Sequence, residues 1–237
     1  MEDKKDLIIF DIDETITDPN SLLFSTEYLL SKEEKENIIK FVCKTWEYLF
    51  NYFFEKLREN KKTNNDLNEA TEKCPLTPGM KTLFEYLKQN KNKYYIIIIS
   101  GGFTYQINHL LKYHNFKECI NEIYCLNSEE TKDNLLKISN RRNYNCPNCN
   151  PSQCKSQDLK DFFEIKRRDS FKNVIFICDG GNDICLAKDL CENDMVFARD
   201  GHRLIQRINN PDEKIKTKCI FKVWKSGEDI INLLKNI

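Results

Sequence analysis

A chain of 237 residues fits one large domain, or a core domain with an insertion, and is long enough to bury a sizeable core. Its 37 basic and 37 acidic side chains cancel, so no net field draws it to nucleic acid or to an anionic membrane. With no signal-like apolar core at its charged start, no bilayer-length run and an odd eleven cysteines, it is expected to be cytoplasmic, with reduced thiols.

Short apolar runs alternate with helix-like segments, the signature of a parallel α/β sheet. The first run, Leu7 to Asp13, reads as a buried strand, yet Asp11, Asp13 and Glu14 crowd its end and Asp18 follows. Buried carboxylates are costly unless they are paired or bind a metal. From about Asn20 to Cys74 no strand pattern is visible. Amphipathic stretches, such as the one from Glu34 to Leu57, predict helices there, closed by CPLTPGM. A segment of about 55 residues far exceeds a usual strand-to-helix connection, so it is read as a helical cap. MKTLFEYLKQ then predicts a helix, Tyr94 to Ser100 a strand, FTYQINHLLKYH a helix, and Ile123 to Leu126 a strand. SQDLKDFFEIKRR predicts a helix, Val174 to Asp179 a strand, NDICLAKDL a helix, Met195 to Ala198 a strand, and GEDIINLLKNI a last helix. The middle runs are near-continuously apolar, as strands covered on both faces require.

Residues two apart on a strand face the same side, so Asp11 and Asp13 are expected to approach one reacting centre. Open α/β sheets bind ligands beyond the carboxyl ends of their strands. Ser100 lies at such an end and runs into Gly101 and Gly102, where a helix is expected to begin; a hydroxyl beside free amides makes an anion site. Asp179 ends another strand, with Asp183 four residues on, and Lys155 precedes a helix leading into that strand. These groups meet the needs of phosphoryl transfer: a carboxylate nucleophile, Mg²⁺, and a lysine and hydroxyl to offset charge. Oxygen ligands suit Mg²⁺. Thiols and histidines are read as absent from these strand ends, which disfavours catalytic zinc.

In order, DIDET, Ser100, Lys155 and DGGND resemble the four motifs of the haloacid dehalogenase (HAD) superfamily of phosphatases. The resemblance implies an α/β fold, with a Rossmannoid parallel-sheet core over residues 1–19 and 76–237 and a helical cap over 20–75. It implies that Asp11 is the nucleophile forming an aspartyl-phosphate, and that Asp13 is the general acid whose backbone carbonyl also ligates Mg²⁺. Thr15 would orient the loop at the phosphate site, Ser100 with Gly101 and Gly102 would bind the phosphoryl oxygens, and Asp179 would ligate the metal. Asp183 would hold a metal-bound water or orient Lys155.

CPNCNPSQCK, Cys146 to Lys155, is similar to the cysteine-rich segment of the phosphoethanolamine/phosphocholine phosphatase group, which includes pyridoxal-phosphate-hydrolysing relatives. There the lysine follows the third cysteine, which favours Lys155 over its competitor Lys160. ARDGHRLIQ and VWKSGEDI resemble the group's C-terminal segments. Two stretches depart: Leu22 and Leu23 stand where the group has acids, and Gly101, Gly102 and Phe103 replace Asp-Ala-Asn. In the group those acids are expected to hold a cationic amine. Their loss points away from choline or ethanolamine and toward a flatter leaving group, such as pyridoxal or a nucleoside, against Phe103 and the aromatic cap.

C-x₂-C is also a common zinc half-site. Cys146, Cys149 and Cys154 need a fourth ligand, for which Cys125, Cys119 and His114 are the candidates; the alternative is an ordered loop of reduced thiols. His109 and His114 read as packing or surface residues, and His202 as a candidate for a place near the site. The rival functions are a phosphomutase or phosphotransferase with the same chemistry, a nucleic-acid-binding module built on Arg141, Arg142, Tyr144 and the cysteines, and an inactive relative used as a binding protein, which the complete motif set disfavours. The favoured expectation is a Mg²⁺-dependent phosphatase of a small phosphomonoester, with no nucleic-acid or membrane partner.

Overall fold

The computed structural model describes residues 4–40, 45–132, 135–147, 149–210, 212–213 and 215–237. Residues 41–44 of the predicted amphipathic stretch lie outside them. The core is a seven-stranded sheet. Its strands are β1 (Asp6–Phe10), β2 (Tyr94–Phe103), β3 (Glu122–Glu130), β4 (Leu136–Ser139), β5 (Val174–Cys178), β6 (Met195–Arg199) and β7 (Ile220–Trp224). The order is β4-β3-β2-β1-β5-β6-β7. All neighbours pair in parallel except β3 and β4.

Period-two alternation divides the strand side chains between two cores. Ile8, Phe10, Ile96, Ile98, Ile175 and Ile177 face one side. There they meet α5 (Met80–Gln89), α6 (Thr104–Tyr113) and α10 (Gly227–Lys235). Leu7, Ile9, Ile97, Ile99, Val174 and Phe176 face the other, against α7 (Lys155–Lys166), α8 (Ile184–Asp189) and α9 (Arg203–Asn209). Because β1 lies between β2 and β5, the chain crosses to opposite faces on either side of it. That topological switch opens a crevice at the carboxyl ends of these strands.

Between β1 and α5 the described chain is helical: α1 (Ser21–Leu29), α2 (Lys32–Lys40), α3 (Trp46–Glu59) and α4 (Asn64–Lys73). It leaves and re-enters the core at one place, where Thr17 and Leu76 form an antiparallel bridge. Side chains start the helices: Asn20 Oδ1 accepts the Leu23 N–H, Thr45 Oγ1 accepts that of Tyr48, and Thr63 and Asp66 form a capping box. Phe50, Phe53, Phe54 and Leu57 of α3 pack with Phe103, Leu126 and Ile138 of the sheet. Each buried phenyl contributes on the order of 2 kcal/mol. Asn51 also donates to and accepts from the backbone of Ile138, at 2.8 and 2.9 Å, pairing with the edge strand β4.

The structure departs from expectation at four places. β4 and β7 were not expected from the pattern, being short, partly exposed edge strands with a charge inside each (LKIS, IFKVW). The short α9 was likewise not expected. β1 stops at Phe10, so Asp13 is placed by a tight turn instead of by strand alternation; the carbonyl of Ile12 accepts the N–H groups of Thr15, Ile16 and Thr17. Finally, β2 continues through Gly101 and Gly102 to Phe103 and α6 begins only at Thr104, so the two glycines are extended backbone, not a helix start.

Candidate active site

Asp11 follows β1 directly and Asp179 follows β5, so the parallel register brings both carboxylates to one edge. Lys155, the first residue of α7, reaches Asp11 and Asp183. Its Nζ lies 2.5 Å from Asp11 Oδ2 and 2.6 Å from Asp183 Oδ1. Lys160 points elsewhere; its exposed side chain pairs with Asp189 at 2.7 Å. Asp11 Oδ1 accepts the Ile12 N–H at 2.7 Å. Ser100 is fully buried two positions beyond the Phe10–Ile98 pair, and its Oγ accepts the Gly102 N–H at 3.2 Å.

Burial dominates the electrostatics. It pushes the Asp11 carboxyl well up, and Asp183 and Asp179 add to this while Lys155 opposes it. Burial pushes Asp179 up to about 6, against the opposing influence of the neighbouring His202. For Lys155 burial works against the charge, but Asp11 and Asp183 outweigh it and hold the ammonium above its ordinary value. Carboxylate oxygens of Asp11, Asp179 and Asp183 all lie within 4.8 Å of one another, and all three residues are buried. Three buried acids against one lysine leave negative charge uncompensated, and hard oxygen donors fit a divalent cation.

Asp13 is held differently. Its Oδ1 accepts the backbone N–H of Ser21, the first residue of α1, at 2.7 Å. Burial raises its pKa, and the bond from Ser21 lowers it again in part. Thr15 is fully buried and its Oγ1 donates to Asp179 Oδ1 at 3.3 Å, so it braces an acid instead of lining the cleft. Glu14 between them has φ of 54°, a left-handed conformation that is strained for a side chain of its size. Arg199, at the end of β6, donates to the Glu14 carbonyl at 2.7 Å and pairs with Asp18. That clamp holds the turn in place.

A cleft of about 870 Å³ opens over these groups. Asp11, Asp13, Gly101 and Asp179 of the predicted set line it. Leu22, Leu23, Trp46, Leu49 and Phe50 form its wall on the helical side, with Arg203, Gln206 and Arg207 opposite. Phe103 does not: it is fully buried, 4.9 Å from the ring of Phe50 and 5.6 Å from that of Phe54. Among the described residues, the aromatic side chains at the cleft are Trp46 and Phe50. A Cβ on Gly101 would sit 2.4 Å from the Trp46 ring, so only glycine admits it there.

The comparisons with known proteins agree with this geometry. The family described as "Putative Phosphatase" matches residues 6–237. The chain belongs to that family. It is 26% identical over 235 residues to the "Pyridoxal phosphate phosphatase PHOSPHO2" of Homo sapiens, covering 98% of each chain. It is 26% identical over 234 residues to the "Phosphoethanolamine/phosphocholine phosphatase" of Homo sapiens, covering 94% of this chain and 86% of that one. Among solved structures, a phosphoserine phosphohydrolase-like protein from Francisella tularensis shares the fold with a TM-score of 0.62 at 22% identity, covering 98% of this chain and 100% of that one. A substrate-bound phosphoserine phosphatase has a TM-score of 0.61 at 17% identity, covering 98% of this chain and 99% of that one. The chain is a HAD-type phosphatase, a phosphoric monoester hydrolase.

Several groups around the phosphatase site lacked a sequence signal of their own. Arg199, Ser21 and Trp46 come to it from distant or irregular segments. His202, the histidine expected near the site, is there: its Nδ1 lies 3.6 Å from Asp179 Oδ2 and 3.6 Å from Glu14 Oε2. Its neighbour Asp179 raises its pKa. His109 pairs with Glu72, and His114 stacks on Phe116, so neither joins the site. Arg141 binds Asp158 and Asp161, and Arg142 binds Asp161, so these arginines are engaged within the phosphatase itself. Among the described residues no helix is long and apolar enough to cross a membrane.

Proposed function

We propose that the chain hydrolyses a small phosphomonoester through an aspartyl-phosphate formed on Asp11, with Mg²⁺ as its metal. Asp11, Asp179 and Asp183 would hold the cation with the backbone carbonyl of Asp13. When bound, it offsets the charge of the phosphoryl group and of the gathered carboxylates. An Asp11 oxygen attacks phosphorus as the bond to the leaving oxygen breaks, and Asp13 gives that oxygen a proton. Asp13 then takes a proton from the water that attacks phosphorus and frees Asp11. Lys155 balances Asp11, while the Gly101 amide and the Ser100 hydroxyl, itself held by the Gly102 N–H, serve the phosphoryl oxygens. Thr15 and Asp183 keep Asp179 and Lys155 in position. Residues 20–75 act as the cap that excludes water and selects the leaving group.

The leaving group we infer is flat and uncharged where choline is cationic, as in pyridoxal phosphate, which the name of one relative specifies. The single observation carrying this is the Trp46 ring against Gly101. It fills the space a side chain at position 101 would take and leaves an aromatic wall beside Leu22 and Leu23. The two other acids lining the cleft each face a base: Glu14 faces His202 at 3.6 Å, and Glu213 binds Arg207 at 2.7 Å. Neither is spare for a quaternary amine. Measuring kcat/KM for pyridoxal 5′-phosphate, a nucleoside monophosphate, phosphoserine, phosphoethanolamine and phosphocholine tests the assignment. A preference for phosphocholine would overturn the leaving-group reading; near-wild-type turnover by Asp11→Asn would overturn the mechanism.

A further inference from the structure

The cysteine-rich segment finds its fourth partner in the fold. Sulfur atoms of Cys146, Cys149, Cys154 and Cys185 all lie within 4.8 Å of one another. Cys185 belongs to α8, and Cys154 directly precedes α7. The fourth-ligand candidates expected from the sequence are elsewhere: Cys119 and Cys125 sit in the apolar core under α5 and α6, and His114 stacks on Phe116.

We propose that Cys146, Cys149, Cys154 and Cys185 hold one structural zinc ion that fixes the Lys155 and Asp183 segments to each other. Zinc bound by four thiolates at about 2.3 Å, in a tetrahedron, separates its sulfurs by about 3.8 Å. The Cys146–Cys185 sulfurs are 3.8 Å apart, a spacing far too long for a disulfide bond of about 2.05 Å. Among the described cysteines none is disulfide-bonded. Two of the four are buried and two half-buried, so the site has a route to solvent on one side. Binding exchanges the four thiol protons for the ion and transfers no electron.

The position of the knot explains what it does. Cys154 directly precedes Lys155, and Cys185 stands two residues after Asp183, which Lys155 contacts at 2.6 Å. Between Cys149 and Cys154, Asn150 and Ser152 accept the backbone N–H groups of Trp46 and Glu47, at 3.3 and 3.0 Å, at the start of α3. One ion therefore ties together the lysine, an acid of the metal cluster and the helix carrying the cleft tryptophan. This consequence for turnover rests on the phosphatase mechanism proposed above; the ion itself does not.

Metal analysis of the purified full-length chain after gel filtration tests the proposal. The expected result is about one zinc per chain, released by a thiol-blocking mercurial, and tetrahedral-thiolate visible bands when cobalt replaces it. Cys185→Ser should lose the metal, whereas Cys191→Ser, at an exposed cysteine outside the cluster, should retain it. Because Cys185→Ser could also unfold, the wild-type zinc content is the deciding measurement. Zinc-free, folded wild-type protein, or a disulfide within the four, overturns the inference. Asp11→Asn separates the two readings: inactive protein that keeps its zinc supports both, while an active variant with zinc sinks only the mechanism.

Discussion

Asp13 Oδ1 receives the backbone N–H of Ser21 at 2.7 Å, so the acid beside the nucleophile also caps the first helix of the 20–75 segment. Helix N-terminal amides stabilise a carboxylate, and burial favours its protonated form. The two effects oppose each other, as a group that must give and regain a proton requires.

Asp13→Asn keeps the acceptor for Ser21 and should leave the fold intact. Turnover of an alkyl phosphate is expected to fall by about 10²- to 10⁴-fold. Aryl phosphates with acidic leaving groups need less protonation and should suffer less. Steady-state rates on both substrate types check this; equal losses would remove Asp13 as the acid.

Lys155 and Lys160 should separate cleanly. Lys155→Ala leaves Asp11 and Asp183 buried and unpaired, which costs about 3–5 kcal/mol of stability and abolishes turnover. Lys160→Ala removes an exposed pair with Asp189 and should change stability by about 0.5 kcal/mol or less. Denaturant melts and activity of the two variants decide which lysine belongs to the site.

The acid cluster predicts a pH-dependent response to Mg²⁺. In metal-free protein the Asp179 pKa rises from the ordinary 3.8 to about 6 on burial. Between those values the folded chain keeps a proton that the unfolded chain has lost, so stability falls as pH rises through that window. The shift corresponds to about 3 kcal/mol near neutral pH. A cation among the carboxylates makes that proton unnecessary, so the melting-temperature gain from Mg²⁺ should be larger near pH 7 than near pH 5. Thermal melts with and without Mg²⁺ test it, and identical gains at both values would count against the site.

Trp46→Ala should lower kcat/KM for pyridoxal 5′-phosphate by about tenfold, the scale of losing one aromatic contact, and leave that for phosphoethanolamine nearly unchanged. A parallel loss on both substrates would mean that Trp46 only supports the cap.

The acids and the core strands were legible in the sequence because their signals are local. A run such as Leu7 to Phe10 must be buried to be stable, and a charge directly after it lies at a sheet edge wherever the strand goes. Helices α5, α7 and α10 were readable for the same reason, through apolar spacing within a few residues. The edge strands β4 and β7 were not, since half-exposed strands lack that pattern and exist only by pairing with β3 and β6. Nor could the sequence show that Trp46 would meet Gly101, that Arg199 would clamp the turn at Glu14, or that Cys185 would complete the thiol cluster. Those pairs are separated by tens of residues or more, and their meeting depends on how helices pack on the two faces of the sheet. Periodicity is written along the chain; proximity between distant side chains is decided only when the cores close.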